Sequence, residues 1–171
     1  KIFNAYPFFP KKDKKEIIKN FKMVIDGMLT QGPFIEKLES EYSKFIGAKF
    51  AIGVHSATSA LETVLRYYNL EGKDVIVPTL TFVASANCGL HCRAKVDFVD
   101  IDSRTYNICP IKLKQKLIDA SLKDSLPKVL VPVHLCGQPC DMKPIKRLCE
   151  QYNIKIIEDA SHAIGGSYQG E

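Results

Sequence analysis

Four short polar segments carry the residue types that can do chemistry, and each follows an apolar run. They are HSATS (55–59), TLTF (79–82), HLCGQ (134–138) and EDASH (158–162). In the first, Ser56, Ala57 and Thr58 leave the amides of a following helix open to an anion such as phosphate, and the helix dipole favours it. The same stretch also suits plain capping, because Ser59 and Glu62 have capping-box spacing. Phe82 is placed either to stack on a flat ring or to join the core. Asp159 closes an apolar run, where a carboxylate is costly unless a cation or a donor satisfies it. A lysine, a magnesium ion, a protonated pyridine nitrogen and the next turn's amides are the partners to weigh. Taken in order, a phosphate cup, an aromatic ring and an acid suit a flat phosphorylated heteroaromatic ligand.

Several other chemistries lose their support. Neither G-x-x-x-x-G-K-[ST] nor G-x-G-x-x-G occurs, which removes the main signal for a P-loop, for its magnesium and for a dinucleotide fold. HLCGQPC offers His134, Cys136 and Cys140 as zinc ligand types, but no C-x2-C pair exists, so no metal site is expected. Six cysteines in 171 residues are too sparse for a disulfide scaffold and read as reduced cytosolic thiols. The net charge of +5 is concentrated in seven lysines among the first 23 residues, which read as a solvated helix face. Without interleaved aromatics or a binding motif, no nucleic-acid partner is expected. No apolar stretch approaches the ~20 residues of a membrane span, and the N-terminal stretch KIFNAYPFFPKKDKK lacks the apolar core of a secretory signal.

The elements that must position these segments follow from periodicity. Ile17, Ile18, Phe21, Val24, Ile25 and Met28 share one helical face, with Pro10 and Asp13 at its start. After LTQGP comes a second helix carrying Ile35, Leu38, Tyr42, Phe45 and Ile46, stopped by Gly47. Apolar runs at 50–54, 74–78, 95–101, 128–133 and 154–157 then alternate with helical stretches at 58–70, 84–92, 110–120 and 144–152. Such alternation predicts an α/β fold, a mainly parallel sheet with helices on both faces. Ligands of open α/β sheets bind beyond the carboxyl ends of the strands, where the four polar segments lie.

At these residues the sequence resembles the sugar aminotransferases of the DegT/DnrJ/StrS type, fold type I enzymes that use pyridoxal phosphate. LTQGP, SATSAL, TFVASAN, VDFVDID and IIEDASHAIGG carry the resemblance, which covers nearly the whole chain. Within that family, KVLVPVHLCGQPCDM is most similar to the members of the pseudaminic acid pathway, which aminate C4 of a UDP-linked 4-keto-6-deoxy sugar. The first helix, ending DGMLTQG, looks more like other members of the family.

The resemblance implies that Ser56, Ala57 and Thr58 hold the cofactor phosphate, Phe82 stacks on its ring and Asp159 pairs with its pyridine nitrogen. His162 is implied near the ring hydroxyl, with a plain loop histidine as the other reading. Tyr6 and Met28, Leu29 and Thr30 are implied at a nucleotide-sugar substrate. The resemblance further implies a ping-pong reaction with glutamate as amino donor, a homodimer and a cytoplasmic enzyme. Residues 1–32 would form a helical arm and substrate loop, and 33–171 part of the cofactor-binding large domain. The Schiff-base lysine, the last strands and a C-terminal small domain are expected beyond Glu171, so this piece alone is expected to be inactive. Three alternatives stay open: a sugar dehydratase of the same fold with histidine in place of that lysine, a non-catalytic ligand-binding remnant, and a generic nucleotide-binding α/β domain.

Overall fold

The computed structural model describes residues 8–170, which divide into two compact units, one ending at Gly53 and the other beginning at Val54. The first unit holds α1 (Lys11–Ile25) and α2 (Pro33–Phe45). Pro10 precedes α1 and Asp13 lies in its first turn, as the start signals require. Its apolar stripe stays uncovered: Ile17, Ile18, Phe21 and Ile25 are exposed and no residue of the helix is buried. Gly47 ends α2 in a Schellman motif, with the Gly47 amide on the Lys44 carbonyl and the Ala48 amide on that of Ser43. The positive φ of 68° at Gly47 is what permits this exit.

The second unit is an α/β domain built on four parallel strands. In chain order it contains α3 (Ala57–Tyr67), β1 (Asp74–Pro78), α4 (Ala84–His91), β2 (Lys95–Val99), α5 (Pro110–Leu122) and β3 (Val129–Leu130). A 3₁₀ turn (Leu135–Gly137), α6 (Met142–Gln151) and β4 (Lys155–Ile156) complete it. The strand order is β2-β1-β3-β4, so the chain leaves β1 to one side and returns across it to the other. A crevice opens at such a reversal, beyond the carboxyl ends of β1 and β3.

Alternation along the strands divides the core in two. Val75, Val77, Val129 and Val131 pack on one face with Leu61 and Leu65 of α3 and Cys88 of α4. Ile76 and Leu130 pack on the other with Leu113 and Leu117 of α5 and Ile145 of α6. The period of two thus sends successive residues to opposite helical layers. Because both faces are covered, the central strands read as continuous apolar runs.

Three of the helices deliver the next strand through the same exit. Ala94, Ser125 and Ile154 return their amides to the carbonyls of Gly89, Ala120 and Cys149, closing Schellman turns after α4, α5 and α6. The left-handed residues there are Arg93, Asp124 and Asn153 rather than glycine. Four of the five apolar runs contain the four strands, some of them shorter than the run. Run 50–54 does not form one: Phe50 is 74% and Ile52 81% exposed. A strand needs a ladder, and no partner for this run exists among the described residues; the Gly53 amide instead donates to Glu39 Oε1 at 2.7 Å. The helix expected from Thr58 to Leu70 ends at Tyr67, because Asn69 turns left-handed (φ 48°) and Leu70 enters the core.

Leu130 is fully buried at the middle of the sheet. Leu130→Ala is expected to lower unfolding free energy by about 2–5 kcal/mol, read from chemical denaturation.

Candidate active site

All four polar segments meet in one cleft of about 290 Å³ at the carboxyl ends of the strands. The start of α3 contributes Ala57, Thr58 and Leu61, and the segment after β1 contributes Phe82 and Ala84. Val133, His134 and Leu135 follow β3, and Asp159, Ser161 and His162 follow β4.

Ser56 is the N-cap of α3; its backbone is extended and its Oγ accepts the Ser59 amide at 3.2 Å. The capping box expected at Ser59 and Glu62 therefore does not form. Glu62 instead accepts from Arg66, at 2.9 Å from Nε and 2.6 Å from Nη2, and meets His91 Nδ1 at 3.2 Å. With Ser56 serving Ser59, the amides of Ala57 and Thr58 have no acceptor among the described residues and open at the cleft end of the helix. Phe82 is 69% exposed, which excludes the core reading for this ring within its own unit.

Asp159 is 7% exposed and tied down on every side. Its amide donates to the Pro132 carbonyl at 2.9 Å, and its carbonyl accepts the His134 amide at 3.1 Å. Pro132 has no amide to give, so the ladder continues past it through the Val133–Asp159 bridge. The carboxylate accepts from Ser85 Oγ at 2.8 Å on Oδ2 and from Ser161 Oγ at 2.6 Å on Oδ1. Among the described residues no lysine bonds to it; two hydroxyls and one amide supply its hydrogen bonds.

The sequence offers His134 only as a zinc ligand type and gives Glu158 no role, and the structure pairs the two. The Cys140 amide donates to His134 Nδ1 at 3.0 Å, so Nε2 carries the hydrogen and donates to Glu158 Oε2 at 3.0 Å. This bond holds the Glu158 carboxyl below its ordinary value against the opposing effect of burial. Burial pushes the Cys140 thiol up to about 12, and it donates to the Val133 carbonyl at 3.2 Å. Both histidine nitrogens and the thiol thus serve the fold of the 133–140 loop. Asn107, buried, clamps the same loop by accepting the Leu135 amide at 3.1 Å and donating to the Gln138 carbonyl at 2.9 Å.

Of the residues singled out from sequence, Ala57, Thr58, Phe82, Asp159 and His162 line the cleft, and Ser56 caps the helix behind it. Met28, Leu29 and Thr30 belong to the first unit, in the exposed turn between α1 and α2. Tyr6 lies outside the described residues. Sequence reasoning gave no role to Ser85, Thr81 or Ser161, although TFVASAN and EDASH contain them. Their signal is the clustering of small hydroxyl residues just after two apolar runs.

A parallel sheet with helices on both faces, and a buried carboxylate in the crevice at its carboxyl ends, make an open α/β domain with a ligand site. Its solved neighbours make that domain the large domain of a fold type I transferase. The chain belongs to the DegT/DnrJ/EryC1/StrS aminotransferase family, whose model matches residues 11–171. It is 38% identical over 141 residues to a GDP-perosamine synthase of Caulobacter vibrioides, covering 82% of this chain and 36% of that one. It is 35% identical over 160 residues to a dTDP-3-amino-3,6-dideoxy-alpha-D-galactopyranose transaminase of Aneurinibacillus thermoaerophilus, covering 92% and 42%. Among solved structures, the Helicobacter pylori aminotransferase PseC, involved in pseudaminic acid biosynthesis, superposes with a TM-score of 0.82 at 30% identity. That match covers 96% of this chain and 43% of that one. The chain therefore spans about two fifths of the length of the relatives it matches. Membership brings pyridoxal phosphate as cofactor. The cleft fits such a group: open helix amides, an exposed aromatic ring and a buried carboxylate line one cavity.

Two outcomes follow from the loops of this cleft. Gly137 has φ 86°, and a Cβ there would lie 2.9 Å from the His162 carbonyl oxygen. Gly137→Ala is expected to cost at least about 1 kcal/mol in thermal or chemical unfolding, because both the backbone and the neighbouring loop must shift. Since the folded value of Glu158 is depressed, its contribution to stability is full above the unfolded glutamate value of about 4.3. It is lost as pH falls through the folded value. Glu158→Gln is expected to flatten the acid limb of a stability-versus-pH curve.

Proposed function

We propose that this chain carries the cofactor-binding part of a pyridoxal-phosphate aminotransferase that aminates a nucleotide-linked keto sugar. The single observation behind the proposal is the convergence of Ala57, Thr58, Phe82, Asp159 and His162 on one cleft at the strand ends. The substrate is a UDP-linked 4-keto-6-deoxy-N-acetylhexosamine of pseudaminic acid or related surface-glycan synthesis, a reading supported by the likeness to PseC. Glutamate is the amino donor in a ping-pong cycle, carried out in the cytoplasm by a homodimer.

In this reading the amides at the start of α3 and the Ser56 turn hold the cofactor phosphate, as helix N-termini hold anions. Phe82 covers one face of the ring and excludes water from it. Asp159 accepts a hydrogen bond from the ring nitrogen and keeps a proton on that atom. His162 donates or accepts at the ring hydroxyl. The bound cofactor supplies an electron sink when the proton leaves the amine-bearing carbon. Moving that proton requires a general base, and no lysine is among the residues that line the cleft. In this proposal the base is a Schiff-base lysine that is not among the cleft residues, and residues 1–171 by themselves are expected not to transaminate. The family resemblance is the support for assigning Tyr6, outside the described residues, and residues 28–30 to the sugar nucleotide.

The decisive assay uses the full natural protein loaded with pyridoxal phosphate. Glutamate is supplied with UDP-, GDP- and dTDP-linked 4-keto-6-deoxy sugars, and the products are read by mass. Formation of one amino sugar and one 2-oxoglutarate per turnover is expected, with the UDP sugar preferred. Loss of a sugar oxygen without amine transfer would make the protein a dehydratase and overturn the proposal. Asp159→Asn is expected to lower kcat at least about a hundredfold, roughly 3 kcal/mol, while cofactor remains bound. Near-normal turnover in that variant would remove Asp159 from the mechanism.

A further inference from the structure

The hydrogen-bond inventory of Asp159 leaves one acceptor position unaccounted for. A carboxylate offers about four, two on each oxygen. Ser161 fills both on Oδ1, with its amide at 3.2 Å and its hydroxyl at 2.6 Å. Oδ2 receives one bond, from Ser85 Oγ at 2.8 Å. The open position is therefore on Oδ2, and Asp159 is among the residues that line the cleft.

Ser85 is 1% exposed, in the first turn of α4. Its hydroxyl has a single proton, and that proton goes to Asp159. The 2.9 Å contact between Thr81 Oγ1 and Ser85 Oγ then has only one direction, with Thr81 donating. A relay runs from Thr81 through Ser85 to Asp159, joining the segment after β1 to the one after β4. Ser161 anchors Oδ1 only. Ser85 adds a second anchor on Oδ2, on the opposite side of the Cβ–Cγ bond, which narrows a torsional well that is otherwise broad.

We propose that Ser85 is a positioning residue of this site: held by Thr81, it fixes Oδ2 of Asp159 so that its one open acceptor position faces the ring nitrogen of the cofactor. The assignment rests on the reading of Asp159 given above, and it adds two residues with no contact of their own to the reacting atoms.

The test uses the full natural protein, with pyridoxal phosphate as the probe. Three quantities are measured: the cofactor Kd by fluorescence titration, the pH dependence of the bound cofactor's absorbance, and the Tm of the cofactor-free protein. Ser85→Ala is expected to raise Kd about tenfold and to shift the absorbance profile along the pH axis. Ser85→Thr, which keeps the hydroxyl, restores the profile. Ser161→Ala keeps an amide on Oδ1 and is expected to do less than Ser85→Ala. Thr81→Val is expected to shift the profile in the same direction by a smaller amount. A purely structural Ser85 would lower Tm and leave the absorbance profile unmoved, and that result overturns the proposal. So does a larger effect from Ser161→Ala than from Ser85→Ala. Should Ser85→Ala fail to fold, an unchanged profile in Thr81→Val overturns it equally. Asp159→Asn separates the two readings. If it alters the profile and Ser85→Ala does not, the Ser85 relay alone falls; if neither does, the cofactor reading of Asp159 falls with it.

Discussion

Burying the carboxylate of Asp159 at the end of an apolar strand is the constraint around which the second unit is arranged. An unpaired charge there would be prohibitive, so donors must come from several directions at once. Ser85 reaches it from α4, Ser161 from the next turn of its own loop, and the backbone on either side is bonded to Pro132 and His134. Together these bonds tie the exits of β1, β3 and β4 to the same point. The cleft is therefore rigid where the acid sits and open where the helix amides and Phe82 face solvent.

The sheet supplies the geometry that makes this convergence possible. Parallel strands place all their carboxyl ends at one edge, and the order β2-β1-β3-β4 opens a crevice between the exits of β1 and β3. Successive residues of β1 and β3 go to opposite helical layers, so neither strand can slip by one residue without inverting both cores. Left-handed exits after α4, α5 and α6 return the chain to the sheet in short turns. Strand register and helix exits together hold the polar loops to a common level.

Histidine, cysteine and glutamate in the 134–158 region show how composition alone misdirects. His134 and Cys140 have the chemistry of metal ligands, yet the imidazole is spent on the Cys140 amide and Glu158, and the thiol on the Val133 carbonyl. These bonds span six to twenty-four residues. They support the loop that brings Val133 and Leu135 to the cleft. Run 50–54 misleads in the opposite way, because an apolar run has strand character only where a neighbour offers a ladder.

Strand and helix placement, the stop at Gly47 and the gathering of HSATS, TLTF and EDASH at one end of the sheet were legible in the residues. Each rests on local periodicity, on capping chemistry or on the rule that parallel strands end together. The partners of Asp159 were not legible. Ser85 is 74 residues away along the chain, and only the packing of α4 against β1 brings its hydroxyl to 2.8 Å. The choice of Ser56 over Ser59 as helix cap, and of Glu158 as partner of His134, likewise depended on backbone direction. By itself the sequence determined which chemistry the strand ends could carry. The tertiary structure decided which atoms carry it, because long-range hydrogen bonds depend on distances that no local pattern encodes.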